Sequence, residues 1–312
     1  MANGAKKVAV IGAGNVGATC AFVLAERKVG DVVLLDIYEG FAKGKALDMS
    51  QGGQVLNYDG RVTGTKDYAD IADSDVVVVT SGFPRQPGMT REDLIGKNAD
   101  IVSQVGEGIR QHAPNSIVVM VTNPLDLMTY HMQKVTGFEH SRVVGQAGIL
   151  DSARMTHFIA QAVGCSNEDV QAMVLGGHGD TMVPLPRYTT VNGIPVSQLL
   201  SDEEVEAICK RTASGGGEIV KLLEKGSAFY APGSAAAIMA EAILDDRKRV
   251  LPCSTYLSGE YGMDDIYIGV PVVLGRNGVE RIIELELADN ELDSLQSSGS
   301  FYKEQLSEIL GY

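Results

Sequence analysis

At 312 residues the chain exceeds the usual size of one hydrophobic core, so two lobes, or one large α/β unit with an appended half, are expected. Hydrophobic residues make up 45% and charged residues 21%, an ordinary globular balance that excludes a disordered chain, and the 36 glycines predict many tight turns. The formal net charge of -14 argues against a nucleic-acid partner, because such proteins present a basic face; a small anionic ligand would need local arginines that override the global field.

The first apolar stretch, Val8 through Ala25, carries no charge and follows Lys6 and Lys7, as a signal or membrane span would. Gly12, Gly14, Asn15, Gly17 and Thr19 interrupt it, and a strand, a Gly-rich turn and a helix account for the same residues more economically. No membrane association is therefore expected, and the protein is placed in the cytoplasm. Further buried strands are predicted at 32–36, 75–82 and 116–124, after the first at 8–12. The helix between the first two strands carries Cys20, Phe22, Val23 and Leu24. Another, from about Thr90 to His112, has Leu94, Ile95, Ile101, Val102, Val105 and Ile109 near helical spacing. Strands alternating with helices predict a doubly wound parallel sheet.

After Asp151 the pattern changes. A helix through Met155, Phe158 and Ile159 leads to a predicted strand over 170–180. Asn192-Gly193 and Asn277-Gly278 each lie between apolar runs, which predicts antiparallel hairpins. Acidic helical segments follow, one after Ser201 and one from Asn290 to Leu310. The fold class is thus α/β, with a parallel-sheet half over 1–148 and an α+β half over 149–312. Cys20, Cys165, Cys209 and Cys253 are widely separated without a C-x-x-C pair, so neither a zinc site nor a disulfide framework is signalled.

Four constellations carry chemistry. Gly12-Ala13-Gly14-Asn15-Val16-Gly17 joins the first strand to a helix, and Asp36 ends the next strand at the distance expected of a ribose-binding acid. The glycines let the backbone approach a pyrophosphate and the helix N-terminus offers unpaired N–H donors. NAD is preferred over NADP because the carboxylate repels a 2'-phosphate and Ile37 and Tyr38 supply no arginine; a packing turn or S-adenosylmethionine are the competing readings. The loop from Gly82 to Arg91 holds two prolines, two glycines and the guanidinium groups of Arg85 and Arg91, and reads as a lid over an anion or as a solvated loop. Asn123-Pro124, at the end of a strand, suits either substrate alignment or helix capping. Asp151 and Arg154 share a helix face, as a surface ion pair would, while His178 sits among Gly176, Gly177 and Gly179 with its ring accessible. His112, His131, His140 and His157 lack such surroundings and read as structural or solvated. Together these pieces imply hydride transfer, with histidine moving the proton near neutral pH and arginines binding a carboxylic acid.

In this order, GAGNVG, LLD, GFPRQPGMTREDL, VTNPLD, GILDSAR, GGHGD and GSAFYAP resemble the lactate/malate dehydrogenase family over nearly the whole chain, specifically its lactate-dehydrogenase-like malate dehydrogenase branch. The resemblance implies an N-terminal Rossmann domain and reversible NAD-dependent oxidation of malate to oxaloacetate. His178 would be the acid-base and Asp151 the carboxylate that orients its ring. Arg154 would bind the C1 carboxylate, Arg91 would polarise the reacting carbonyl, and Asn123 would hydrogen-bond the substrate. Asn98, Val121, Thr122 and Asn123 resemble further NAD contacts. Arg85 stands where malate enzymes carry Arg and lactate enzymes typically carry Gln; Ala228 stands where lactate enzymes tend to carry Thr. A homotetramer is implied, with a dimer as the alternative. Competing functions are a lactate or broader 2-hydroxy acid dehydrogenase and a non-catalytic NAD-binding sensor.

Overall fold

The computed structural model describes residues 6–84 and 90–312, the side chain of Arg91 excepted, so the roles read for Arg85 and Arg91 fall outside the described groups. The chain opens with β1 (Lys7–Ile11), α1 (Asn15–Glu26), β2 (Asp31–Leu35), α2 (Glu39–Leu56), β3 (Val62–Thr65) and β4 (Val76–Val79). It continues with α3 (Arg91–His112), β5 (Ile117–Met120), α4 (Leu125–Thr136) and β6 (Val143–Gly145). The six strands lie in the order β3-β2-β1-β4-β5-β6, and every adjacent pair is parallel. With helices on both faces such strands are buried throughout, which is why β4 is simply Val76-Val77-Val78-Val79 with all four residues inaccessible. The order reverses between β1 and β4, and ligands of such sheets bind where it does, beyond the carboxyl ends of the strands.

Each strand foreseen in this half is present: β1 and β2 keep the expected length one position earlier, while β4 and β5 are shorter than the runs over 75–82 and 116–124. Sequence periodicity gave no sign of α2, β3, α4 or β6. The buried face of α2 is Ala42, Ala46, Met49 and Gly53, mostly residues too small to mark a hydrophobic stripe. In α4 most residues of the first two turns are buried on every side, which erases the helical period. By contrast α3 begins as predicted: Thr90 Oγ1 accepts from the Asp93 amide and Asp93 accepts from the Thr90 amide, a reciprocal cap.

The second half comprises α5 (Gly148–Val163), β7 (Val170–Gln171), β8 (Val174–Gly176), β9 (Met182–Pro184), β10 (Thr190–Val191), β11 (Ile194–Pro195), α6 (Asp202–Leu223), α7 (Tyr230–Leu244), β12 (Arg249–Ser258), β13 (Asp264–Gly275), β14 (Gly278–Ile282) and α8 (Asp289–Gln305). The main sheet carries on from β6 through antiparallel β12, β13, β8 and β9, with β14 on β13, so the two halves share one sheet. Both Asn-Gly hairpins form. At the first, Asn192 (φ 46°) and Gly193 (φ 83°) are both left-handed between β10 and β11; at the second, Gly278 (φ 83°) starts β14 opposite Gly275.

The predicted strand over 170–180 is corrected. It is broken into β7, which joins a separate three-stranded sheet, and β8, which joins the main one. Gly176 (φ 84°) and Gly179 (φ 147°) then take backbone conformations that side chains resist, ending β8 in a turn with His178 on it. Between the halves, α7 lies on α1 with Gly233 at the contact. A methyl there would stand 2.7 Å from Thr19 Cβ and 2.8 Å from the Val16 carbonyl oxygen. Gly233→Ala is expected to destabilise the protein by about 1–3 kcal/mol through overpacking, read as a lower denaturant midpoint; an unmoved midpoint would mean that the two helices separate freely.

Candidate active site

The loop from Gly12 to Gly17 leaves β1 and turns into α1. Gly17 cannot carry a side chain, since a methyl would lie 1.9 Å from the Gly12 carbonyl oxygen, whereas the space beside Gly14 is open. Gly14 caps α1 without a side-chain hydrogen bond, which leaves the first-turn N–H groups for a ligand. Asp36, just past β2, accepts from the Ala13 amide at 2.7 Å and from the Tyr38 amide at 3.0 Å, fastening the loop to the adjacent strand end. Lys45, which the sequence reading missed, donates to the Ala13 carbonyl at 2.8 Å. Partial burial lowers its pKa, an effect that the Asp36 charge opposes. It comes from α2, the helix that periodicity did not reveal. A tight backbone curve, an open outer side, unpaired amides and an acid at the strand end fit a dinucleotide.

Beyond β5, Thr122 is buried and donates to the Ser81 carbonyl at 2.7 Å, while Val121 is half-buried and Asn123 is exposed. Asn123 is not a helix cap: Pro124 occupies that position in α4, without a side-chain bond, after a cis Asn123-Pro124 peptide. Asn98, on α3, is buried. Its Oδ1 accepts from the Phe83 amide at 2.6 Å, and its Nδ2 donates to the Asn123 carbonyl at 2.7 Å and to the Phe83 carbonyl at 3.3 Å. It ties the β5 loop to the segment leading into the Gly82–Arg91 loop.

The third part assembles on α5 and the β8 turn. Asp151, in the first turn of α5, is buried; its Oδ2 lies 2.9 Å from His178 Nδ1 and its Oδ1 accepts from Arg154 Nη1 at 3.0 Å. The Asp151–Arg154 pair is thus no surface ion pair but two members of a unit, completed by half-buried His178, that is centred on the buried Asp151 carboxylate. Asp126 at the start of α4 adjoins it. One of its oxygens accepts from the His178 amide at 2.9 Å and the other from Ser254 Oγ of β12 at 2.7 Å. Burial alone would depress the basicity of His178, but the charge and hydrogen bond of Asp151, aided by the charge of Asp126, outweigh it, so the pKa is raised despite opposition from Arg154. Asp126 is itself pushed up to about 6, chiefly by burial, with its hydrogen bonds from Ser254 and His178 working against the rise.

Asp126 lies within the VTNPLD segment, yet nothing in sequence spacing connects it to a turn 52 residues away. Two of the remaining histidines have structural settings: His131 is bonded to Ser103, Tyr312 and the Ala99 carbonyl, and His140 stacks on Tyr256 at 3.6 Å.

Residues 6–145 match the lactate/malate dehydrogenase NAD binding domain, and residues 149–311 match the alpha/beta C-terminal domain of the same proteins. The chain belongs to the lactate/malate dehydrogenase family. It is 53% identical to the malate dehydrogenase of Methanosarcina acetivorans, an alignment covering 97% of this chain and 99% of that one. The solved malate dehydrogenase of Salinibacter ruber superposes with a TM-score of 0.94 at 50% identity, covering 97% of each chain. A lactate dehydrogenase of Cryptosporidium parvum, solved with lactic acid and nicotinamide adenine dinucleotide, superposes with a TM-score of 0.93 at 43% identity, covering 98% of each chain. This family member is an oxidoreductase that uses NAD. Gly17→Ala is therefore expected to weaken NADH binding, measured by fluorescence titration, by at least tenfold, roughly the loss of one phosphate-cradle geometry; wild-type affinity in a folded variant would place the cofactor elsewhere.

Proposed function

We propose that this dehydrogenase is a malate dehydrogenase, interconverting (S)-malate and oxaloacetate. The observation that carries the reading is the buried Asp151 carboxylate, which holds a proton-carrying imidazole and a guanidinium side by side. A 2-hydroxy acid presents the matching pair, an ionisable hydroxyl beside a carboxylate. The choice of malate over lactate is supported by relatives bearing that name at 53% and 50% identity, above the 43% of the lactate enzyme.

Gly12, Ala13, Gly14, Asn15, Val16, Gly17 and Asp36 would hold NAD, with Val121, Thr122 and Asn123 near its reactive end and Asn98 setting the position of that segment. When bound, NAD accepts a hydride from C2 of the hydroxy acid. With Nδ1 engaged by Asp151, Nε2 of His178 is the nitrogen left to face the substrate. Neutral His178 takes the hydroxyl proton there, and Asp151 stabilises the resulting imidazolium. Arg154 offers its remaining N–H groups to the C1 carboxylate. Arg91 polarises the reacting oxygen, Asn123 hydrogen-bonds the substrate, and Arg85 pairs with the second carboxylate. Oxaloacetate reduction runs in reverse and requires His178 protonated. Residues 1–148 form the cofactor half and 149–312 the substrate half, a division supported by the change from parallel to antiparallel pairing after β6. The enzyme assembles as a homotetramer, or as a dimer. Among the described residues no helix is long and apolar enough to cross a membrane, and the enzyme is assigned to the cytoplasm.

His178→Asn should lower oxaloacetate-dependent NADH oxidation by at least about 10²–10⁴-fold while NADH still binds; substantial turnover would remove His178 from the chemistry. The substrate assignment is tested by following NADH oxidation with oxaloacetate and with pyruvate in parallel. An unpaired carboxylate in a closed site costs several kcal/mol, and a buried unpaired Arg85 penalises pyruvate in turn. Arg85→Gln is therefore expected to swing the ratio of kcat/KM values toward pyruvate by on the order of 10³-fold. An unchanged ratio would locate dicarboxylate recognition away from Arg85.

A further inference from the structure

Asp126 is a buried carboxylate that the mechanism above does not use. It joins three segments that meet nowhere else in the sequence: the start of α4, the turn bearing His178, and the middle of β12 at Ser254. Both of its bonds have good length, at 2.9 Å and 2.7 Å, and both partners are neutral donors. A carboxylate that merely needed burial would be met by a cation; here, among the described residues, no Lys or Arg side chain bonds to it, and its partners are the Ser254 hydroxyl and the His178 amide.

We propose that Asp126 is a positioning residue for the acid-base step: it fixes the His178 backbone and adds a second negative charge to the surroundings of the ring already held by Asp151. The proposal rests on His178 being the acid-base. Among the described residues the ionisable groups facing this pair are Asp151 and Arg154 from α5 and Tyr302 from α8, whose hydroxyl stands 3.5 Å from the His178 carbonyl; β12 contributes the neutral Ser254. Asp151 and Asp126 favour the imidazolium and Arg154 opposes it. Among the described residues two carboxylates stand against one guanidinium, and each carboxylate charge favours keeping the ring, which must be protonated for oxaloacetate reduction, charged to higher pH. Asp126 also sits three residues after Asn123, so the α4 start sets the Asn123 loop and the His178 turn relative to each other.

Asp126→Asn separates charge from scaffolding. Its amide oxygen still accepts from the His178 N–H and its NH₂ group donates to Ser254 Oγ, so both bonds are retained while the charge is lost. The direct readout is the His178 imidazole titration by NMR in the whole histidine-labelled protein, with the signal identified by its absence in His178→Asn. The His178 pKa is expected to fall by about half to one unit, a loss of about three- to tenfold in proton affinity. The alkaline limb of oxaloacetate reduction should move to lower pH by the same amount, because the imidazolium is lost as pH rises through that pKa. Ser254→Ala withdraws a hydrogen bond that favours ionised Asp126, and should move both readouts the same way by less. A folded Asp126→Asn protein titrating at the wild-type pKa overturns the proposal and leaves Asp126 a structural link. Should that variant not fold, an unmoved His178 pKa in Ser254→Ala overturns it equally. Absence of oxaloacetate-dependent NADH oxidation in the unmodified protein would refute the substrate assignment, while the NMR titration would still decide the role of Asp126.

Discussion

A carboxylate removed from water is tolerated only when its charge and lone pairs are met, and Asp151 is such a group. Its two oxygens are met by His178 and Arg154, from the β8 turn and from its own helix. Because the cost of leaving either oxygen bare is several kcal/mol, neither partner is free to drift. The proton carrier and the proposed carboxylate clamp are thereby held in a fixed relation before any substrate arrives. Such prior placement is worth more to catalysis than the bonds contribute to stability.

The surrounding fold serves that unit. The parallel sheet brings the Gly12–Gly17 loop, Asp36 and the Asn123 loop to one edge, at the carboxyl ends of the strands. The handover from β6 to β12 carries the same sheet into the second half, and Ser254, at that crossing, reaches back to Asp126. Asn98 joins the Asn123 loop to Phe83, so one buried side chain fixes these two segments against each other. At the cofactor end the same economy recurs: Asp36 and Lys45 both bind the backbone of Ala13, holding the Gly-rich curve from two sides.

Electrostatics divide the two ends. The chain is acidic overall, yet its proposed substrate is a dianion. Long-range attraction contributes nothing to such a substrate, so binding depends on the short-range guanidinium contacts and on exclusion of water, where Coulomb forces are strong. That constraint explains why the local arrangement around Asp151 matters more than net charge.

Sequence by itself determined the alternation of strands and helices in the first half, the Gly-rich loop with Asp36 at the next strand end, a helix from about Thr90 and both hairpins, while the family resemblance pointed to His178, Asp151 and Arg154. These are local signals: runs of β-branched residues, turn chemistry, and short motifs whose residue types are fixed by what they bind. Only the tertiary structure decided the rest. It showed that residues 170–180 hold two short strands in different sheets, because the Met173 amide bonds to the Thr189 side chain instead of continuing the ladder, and that Gly176 and Gly179 then end the second strand in a turn. It revealed α2 and with it Lys45, since a helix packed through Ala42, Ala46 and Gly53 leaves no hydrophobic stripe to read. It removed Asn123 from helix capping and turned the Asp151–Arg154 pair from a surface contact into a buried one. Asp126 is the sharpest case: its partners lie 52 and 128 residues away, and a hydrogen bond across such distances follows from chain folding, not from spacing.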